Sequence, residues 1–122
     1  MKKVLLWFNE YQNYLITFND FHFIHGDLWY ENYIINDNNE LVGIVDFEGS
    51  GMGDPAYDFA ALYYLGDNFI NLVLKNYKYT NNDLKRRIKM LIRAREICDF
   101  VDTLENYPEE INGQIDKIKK VL

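Results

Sequence analysis

Two short apolar runs, at residues 33–36 and 40–47, constrain the fold of this chain more than any other feature. They flank a cluster of Asp and Asn residues at positions 37–39, which is typical of the turn of a β-hairpin. Asn32 lies at the start of the first arm, and the second arm is predicted to end at Asp46. Because the two arms of a hairpin run antiparallel, Asn32 and Asp46 are expected at the same end of it.

A polar loop directly precedes this hairpin. The segment FIHGDLWYEN, residues 23–32, passes from a short predicted strand into a loop that carries His25, Asp27 and Asn32. A surface turn explains Asp27 taken by itself, since Gly and Asp are favoured in turns. The hairpin, however, brings Asn32 and Asp46 towards the Asp27 loop, and such oxygen atoms suit a hard cation such as Mg²⁺. Asp27 can then accept the proton of a hydroxyl that attacks phosphorus.

A glycine-rich segment follows the hairpin. Residues 48–55, EGSGMGDP, contain three glycines and are expected to form a loop that visits positive φ or approaches another segment closely. Asp54 is expected to cap the next helix, with Pro55 in its first turn. Asp58 follows in the first turn, where a carboxylate favours the helix dipole and can accept hydrogen bonds from the preceding loop.

Helical periodicity dominates the remaining sequence. Apolar spacing predicts an amphipathic helix over residues 4–18, another over 68–77, and a long one over 82–107 that Pro108 ends. The tail is expected to add a short helix. The predicted fold is therefore an α+β lobe that is mainly α-helical, with a small β-hairpin carrying the site, and it is expected to form one domain over residues 1–122.

Composition narrows the possible partners and the location. The net charge of −6 disfavours nucleic acid and is compatible with a cationic substrate. No apolar run is long enough to cross a bilayer, and the first ten residues turn polar too early for a signal peptide, so a cytoplasmic protein is expected. The single cysteine, Cys98, excludes an internal disulfide and is predicted to be a buried hydrophobe.

Two segments of the sequence carry a family resemblance. HGDLWYEN resembles the catalytic loop of the aminoglycoside phosphotransferase family, relatives of the protein kinases, and IVDFEGSGMGDPAYDFA resembles the metal-binding segment that follows that loop. The likeness covers residues 24–62 at the level of motifs, and the helical remainder resembles the C-terminal lobe of the family more loosely. Within that family, the two motifs are most similar to those of enzymes that phosphorylate the 2″-hydroxyl of aminoglycosides.

The resemblance implies a role for each matching residue. Asp27 would be the catalytic base or the carboxylate that orients the hydroxyl, while Asn32 and Asp46 would hold Mg²⁺ against the phosphates of ATP or GTP. The alternatives to metal binding are that Asn32 is an ordinary amide of a turn and that Asp46 caps the end of a strand. Structural support is expected from three further residues: His25, Asp54 and Asp58.

Recognition of the acceptor is predicted from acidic residues. Glu96 and Asp99 lie off the apolar stripe of the long helix, and acidic residues of this lobe line a pocket for polyamine sugars in the resembling enzymes. A solvated helix face explains them equally well, because arginines at helical spacing can pair with them. Glu48 is a third candidate. Trp29 and Tyr30 can stack on a substrate ring or pack under the loop.

Kinase-like transfer also needs a lobe that cradles the nucleotide, with a glycine-rich loop and a strand lysine. Residues 1–122 show neither feature. The sequence is therefore interpreted as a C-terminal lobe. Its nucleotide-binding lobe has either been removed by truncation or is supplied by another chain, and little or no turnover is expected from this lobe alone. Its uncovered apolar face would favour self-association. The alternative is a non-catalytic binding remnant of the same fold that acts by association.

Overall fold

The computed structural model describes residues 2–79, 81 and 83–122. They divide into two compact units, one comprising residues up to Asn19 with Lys89–Leu122 and the other comprising Asp20–Ile88. Their folding together as one domain stays a prediction. No helix within the described ranges is both long enough and apolar enough to span a membrane.

The first unit is helical. It contains α1 (Lys2–Thr17), most of α4 (Leu84–Asn106) and α5 (Ile111–Val121), which confirms the predicted helices, although Asn82, the predicted first residue of α4, lies outside the described residues. Trp7 of α1 is buried and its indole Nε1 donates to the Met90 carbonyl at 3.3 Å. This contact fixes α1 against α4 within the unit.

Cys98 on α4 is exposed, so the prediction that it is buried was wrong. Beyond Leu91, the only buried side chain in the described part of α4 is that of Glu96. The apolar spacing of this half of the helix combines the half-buried Ile97 and Phe100 with the exposed Val101 and Leu104. The helical spacing of apolar residues around Cys98 is therefore not sufficient to predict that this side chain is buried.

The second unit carries two antiparallel strand pairs. Strands β2 (Tyr33–Ile35) and β3 (Leu41–Ile44) form the predicted hairpin, with Tyr33 opposite Ile44. Strand β1 (His22–Ile24) instead pairs with β4 (Gly51–Gly53), so the prediction that the whole glycine-rich segment is a loop was wrong for these residues. A Cβ at Gly53 would lie 2.5 Å from Ile24 Cδ1, so a larger residue there would require the Ile24 side chain to move.

Helices α2 (Ala56–Ala61) and α3 (Asp67–Asn76) complete this unit. Asp54 Oδ1 accepts the Ala56 N–H at 2.9 Å, a capping contact of the predicted kind. Helix α2 is shorter than the apolar pattern predicts and is followed by a 3₁₀ turn at Tyr63–Leu65. The buried apolar residues of the unit include Ala56, Phe59, Ala60, Ala61, Leu62, Ile70, Leu74, Leu84 and Ile88.

Candidate active site

The loop between β1 and β2 holds Asp27 and Asn32 together. The Asn32 Nδ2 donates to the Asp27 carbonyl at 2.8 Å and to the Asp27 Oδ2 at 3.1 Å. Backbone hydrogen bonds from Trp29 N to Asp27 O (2.8 Å) and from Asn32 N to Trp29 O (3.0 Å) close the turn between them. The Asp27 carboxylate is thus oriented by the amide, while the Asn32 Oδ1 faces no donor in these bonds and is available as an oxygen ligand.

His25 connects this loop to the residues on either side of Asp46. Its buried ring donates from Nε2 to the Val45 carbonyl at 2.9 Å and lies 4.5 Å from the Phe47 ring, measured between centroids. The Nε2 donation leaves Nδ1 as an acceptor, and it receives the Asp27 N–H at 3.3 Å. One imidazole therefore holds the backbone of Asp27 and the end of the hairpin arm at the same time.

Asp46 has a backbone conformation that non-glycine residues seldom adopt. Its φ of 62° and ψ of 65° are left-handed, its side chain is exposed, and it does not cap the following 3₁₀ turn, Phe47–Gly49. The adjacent Val45 N donates to the Asn32 carbonyl at 2.9 Å, so the hairpin pairing extends to Val45, the residue before Asp46. Such outliers persist where surrounding contacts enforce them, and they cluster at functional sites. Glu48 is exposed in the same turn.

A close backbone contact joins the two segments directly. Gly26 has φ of +85°, and a Cβ added there would overlap the Gly49 carbonyl group. The Asp27 loop and the turn after Asp46 therefore touch through two glycines. Sequence reasoning placed a close approach in residues 48–55 but did not identify Gly26 as its partner.

Replacing Gly26 with Ala is expected to destabilise the fold more than replacing Gly66 with Ala. Both glycines have φ of +85°, but only Gly26 faces another backbone, since nothing lies within 4 Å of a Cβ at Gly66. The conformational strain alone costs about 1–3 kcal/mol, and G26A adds displacement of Gly49. Urea unfolding of both variants measures the difference. Equal free energies of unfolding would show that the contact does not constrain the loop.

Asp58 anchors the same loop from α2. Its Oδ2 accepts the His25 N–H at 2.7 Å and its Oδ1 accepts the Gly26 N–H at 2.9 Å. Two consecutive backbone N–H groups directly before Asp27 are thereby satisfied by one carboxylate. The support roles of His25 and Asp58 in catalysis stay predictions, and these contacts define what each of them positions.

Asp54 forms a buried ion pair that the sequence analysis missed. Arg87 Nε and Nη2 donate to Asp54 Oδ2 and Oδ1 at 2.7 and 3.2 Å, and Arg87 is 4% exposed. Arg87 Nη1 also donates to Asp83 at 3.1 Å. The signal was present, because residues 84, 87, 88 and 91 form one stripe of a helix. Arg87 lies on that stripe with its apolar neighbours, which indicates a buried side chain rather than an exposed one.

The two acidic candidates on α4 belong to the other unit and differ from each other. Glu96 is 1% exposed, and its carboxylate accepts a hydrogen bond from Gln114 Nε2 of α5 at 2.9 Å. Burial raises the pKa of Glu96, and the hydrogen bond from Gln114 opposes this rise. Asp99 is exposed. Binding of substrate by either residue stays a prediction, but only Asp99 presents its carboxylate to solvent.

Replacing Glu96 with Gln is expected to stabilise the protein at neutral pH and to have little effect near pH 4. Because the folded-state pKa is raised, the ionised carboxylate lowers the free energy of unfolding as pH rises through the acidic range, and below that range the cost vanishes. Gln removes the charge and keeps an acceptor for Gln114. Urea unfolding across pH, with the exposed Glu105→Gln as the control, tests this. A pH-independent difference would contradict it.

The donor atoms near Asp27 fit a magnesium ion. Mg²⁺ is usually bound by one or two carboxylates with phosphate oxygens and water rather than by a cage of protein ligands. The Asn32 amide oxygen and the exposed Asp46 carboxylate are donors of this type. No group of three His, Cys, Asp or Glu side chains capable of holding a metal occurs among the residues that the structure describes.

The second unit thus combines a polar loop, a hairpin that returns beside it, and a helix that anchors it. Residues 7–91 match the model of the phosphotransferase enzyme family, and the chain belongs to that family. The predicted relationship to the aminoglycoside phosphotransferases is confirmed. No protein among the curated ones matches the chain.

Two solved structures show the same fold. They are GDP complexes of aminoglycoside 2′-phosphotransferase IIIa, the wild type with a TM-score of 0.77 and 22% identity, and a point mutant with 0.78 and 20%. Each match covers 98% of this chain but 42% of the other. The chain thus spans less than half the length of these enzymes. The predicted α+β fold with a dominant helical content is confirmed, whereas the likeness to 2″-specific enzymes stays a prediction.

Proposed function

We propose that this chain is the catalytic and substrate-binding C-terminal lobe of a phosphotransferase. It would transfer the γ-phosphoryl group of a nucleoside triphosphate to a hydroxyl of an aminoglycoside or a similar small cationic acceptor. One observation carries the proposal: the Asn32 amide orients the Asp27 carboxylate at 3.1 Å while His25 and Asn32 both hold Val45, the neighbour of Asp46. Asp27 and Asn32 are thereby joined within one loop, and the residue before Asp46 is hydrogen-bonded to that loop.

Each residue has a distinct part in the proposed reaction. Asp27 accepts the hydrogen bond, and finally the proton, of the acceptor hydroxyl as its oxygen forms a bond to the γ-phosphorus and the bond to the β-phosphate oxygen breaks. Asn32 fixes the Asp27 carboxylate, and His25 and Asp58 fix the backbone before it. The catalytic loop therefore has its reactive conformation before substrate binds. Such positioning of the reacting groups provides most of the rate enhancement in enzymes of this type.

Magnesium is the proposed cofactor. Asn32 and Asp46 would hold it, and when bound it neutralises charge on the phosphate oxygens. The left-handed backbone of Asp46 is proposed to aim its carboxylate at this site. A role of this kind explains why a strained conformation is kept at an exposed aspartate.

The acceptor is proposed to be a small polycation. The chain has a net charge of −6. The exposed carboxylates of Glu48 and Asp99, which belong to different units, are separate candidates for a contact with an ammonium group. Nucleic acid and membrane are not proposed as partners. A cytoplasmic location, where nucleoside triphosphates are available, follows from the proposed reaction.

The donor is proposed to be ATP or GTP, and the matched enzymes were solved with GDP. A nucleotide-binding lobe from a further polypeptide segment is needed for turnover, so the 122 residues alone are proposed to be inactive.

Such a lobe would also cover apolar residues that the second unit exposes, which otherwise favour self-association. They include Ile34, Ile35, Leu41, Val42 and Phe47.

The test is Mg²⁺-dependent phosphorylation of kanamycin, measured with the chain alone and after addition of an N-terminal lobe from a related phosphotransferase. Transfer that requires both polypeptides and Mg²⁺ supports the proposal. Absence of transfer with a lobe that does associate would favour the alternative, a binding remnant that works by association.

A further inference from the structure

Three aromatic rings meet beside the catalytic loop. Trp29 and Tyr30 lie in the loop between Asp27 and Asn32, and Tyr64 comes from the 3₁₀ turn after α2. The ring centroids are 5.0 Å apart for Trp29 and Tyr30, 5.1 Å for Trp29 and Tyr64, and 5.8 Å for Tyr30 and Tyr64. These three residues form what we call the aromatic cluster.

The aromatic cluster is not part of the buried core. Tyr30 is 51% exposed and Tyr64 is 38% exposed, whereas Phe59, which packs edge-on against Tyr77 in the same unit, is buried. Packing alone would favour sequestering such large rings from water. Tyr30 and Tyr64 are instead held partly exposed to solvent at the surface of the loop.

The cluster is fixed to the Asp27 loop from both sides. Trp29 N donates to the Asp27 carbonyl at 2.8 Å, and Tyr33, whose pKa Tyr64 helps to raise, donates its hydroxyl to the Leu28 carbonyl at 3.1 Å. Burial, reinforced by Tyr64, raises the pKa of Tyr33 to about 12, so this donor persists at any physiological pH. The rings are therefore positioned by the contacts that shape the loop.

The chemistry of this surface suits a cation carried on a sugar ring. Aromatic faces attract ammonium groups and stack on the apolar faces of rings. The Glu31 carboxylate, which accepts a hydrogen bond from the Tyr30 hydroxyl at 3.3 Å, places a negative charge at the edge of the cluster. We propose that Trp29, Tyr30 and Tyr64 bind a protonated amino-sugar ring of the acceptor and so place the acceptor beside Asp27. This inference rests on the proposed function and names the residues that select its substrate.

The test is a titration of the ¹⁵N-labelled chain with kanamycin in the absence of nucleotide. The chain has two tryptophans, so the indole N–H signal of Trp29 reports on the cluster while that of Trp7, in the other unit, serves as internal reference. We expect the Trp29 signal to shift and the Trp7 signal to stay. An uncharged trisaccharide such as maltotriose should bind roughly 3- to 30-fold more weakly, because it lacks the cation.

Variants of Tyr64 separate binding from packing. Tyr64→Ala should weaken kanamycin binding roughly 3- to 30-fold, whereas Tyr64→Phe, which keeps the ring, should stay within about 2-fold. Tyr57→Ala, at a similarly exposed tyrosine of α2 (41% exposed), is the matched control and should bind as the wild type does. Should Y64A lose its dispersed amide spectrum, the comparison of Tyr64→Phe with Tyr64→Leu, which fills the site without an aromatic face, decides the question.

The outcomes distinguish this inference from the proposed function. If the Trp29 signal stays unchanged at millimolar kanamycin, or if the Ala and Leu variants bind normally, the cluster only packs the loop, and phosphorylation of kanamycin could still occur. If the cluster binds kanamycin but no transfer follows when the nucleotide lobe is added, the inference stands and the phosphotransferase proposal fails.

Discussion

Asp27→Asn is expected to lower the rate of phosphoryl transfer by roughly 10²–10⁴-fold, the usual contribution of a positioned general base. The substitution is nearly isosteric, and the carbonyl oxygen of the introduced amide can still accept the Asn32 N–H that now donates to Asp27 at 3.1 Å. The loop should therefore keep its shape and lose only its proton acceptor. Measurement of kcat with the nucleotide lobe supplied, at saturating kanamycin, shows the loss.

Controls assign this loss to chemistry rather than to binding. Kanamycin affinity of the Asp27→Asn variant should stay within about 3-fold of the wild type, because the acceptor is held largely by other groups. Asp37→Asn, at an exposed aspartate of the hairpin turn, should leave kcat unchanged. An Asp27→Asn variant that transfers phosphate at the wild-type rate would exclude Asp27 as the base.

Arg87→Met is expected to reduce the free energy of unfolding by about 3–5 kcal/mol, the usual effect of removing one partner from a buried ion pair. Asp54 is buried too, and it would lose two guanidinium hydrogen bonds in a region that water does not reach. Arg86→Met is the matched control on the same helix. Arg86 pairs with Asp83 at the surface, where such a pair contributes about 0–1 kcal/mol.

Urea unfolding of the two variants measures the contrast. A double variant, Asp54→Asn with Arg87→Met, should recover part of the loss, because it leaves no uncompensated charge in the interior. A similar small effect of R87M and R86M would contradict the view that the Asp54–Arg87 pair stabilises the segment from which α2 and Asp58 reach the catalytic loop.

Local chemistry made much of the site predictable. The turn residues at positions 37–39 specify a hairpin, and the hairpin alone places Asn32 and Asp46 at one end of it. The cap at Asp54 follows from the preference of carboxylates for N–H groups at a helix start. These features depend on residues close in sequence, where the rules are strong.

Contacts between distant residues were not predictable in the same way. Strand β4 pairs with β1, with Gly53 beside the Ile24 side chain, and nothing in the segment itself identifies β1 as its partner. The burial of Glu96 depends on Gln114 of α5, so a charge off the apolar stripe appeared to be a surface group. The aromatic cluster likewise needs Tyr64, which the sequence places more than thirty residues from the loop.

The most direct test of the central claim, that Asn32 and Asp46 form a divalent-ion site beside Asp27, is paramagnetic broadening by Mn²⁺. Mn²⁺ shares the oxygen preference of Mg²⁺, and it broadens the amide signals of residues near it. In the presence of a nucleoside triphosphate, signals of Asp27, Asn32 and residues 46–49 should broaden first, and Asp46→Asn should remove this effect. Broadening that centres instead on exposed acids such as Glu109 and Glu110, or that persists unchanged in the D46N variant, would contradict the account.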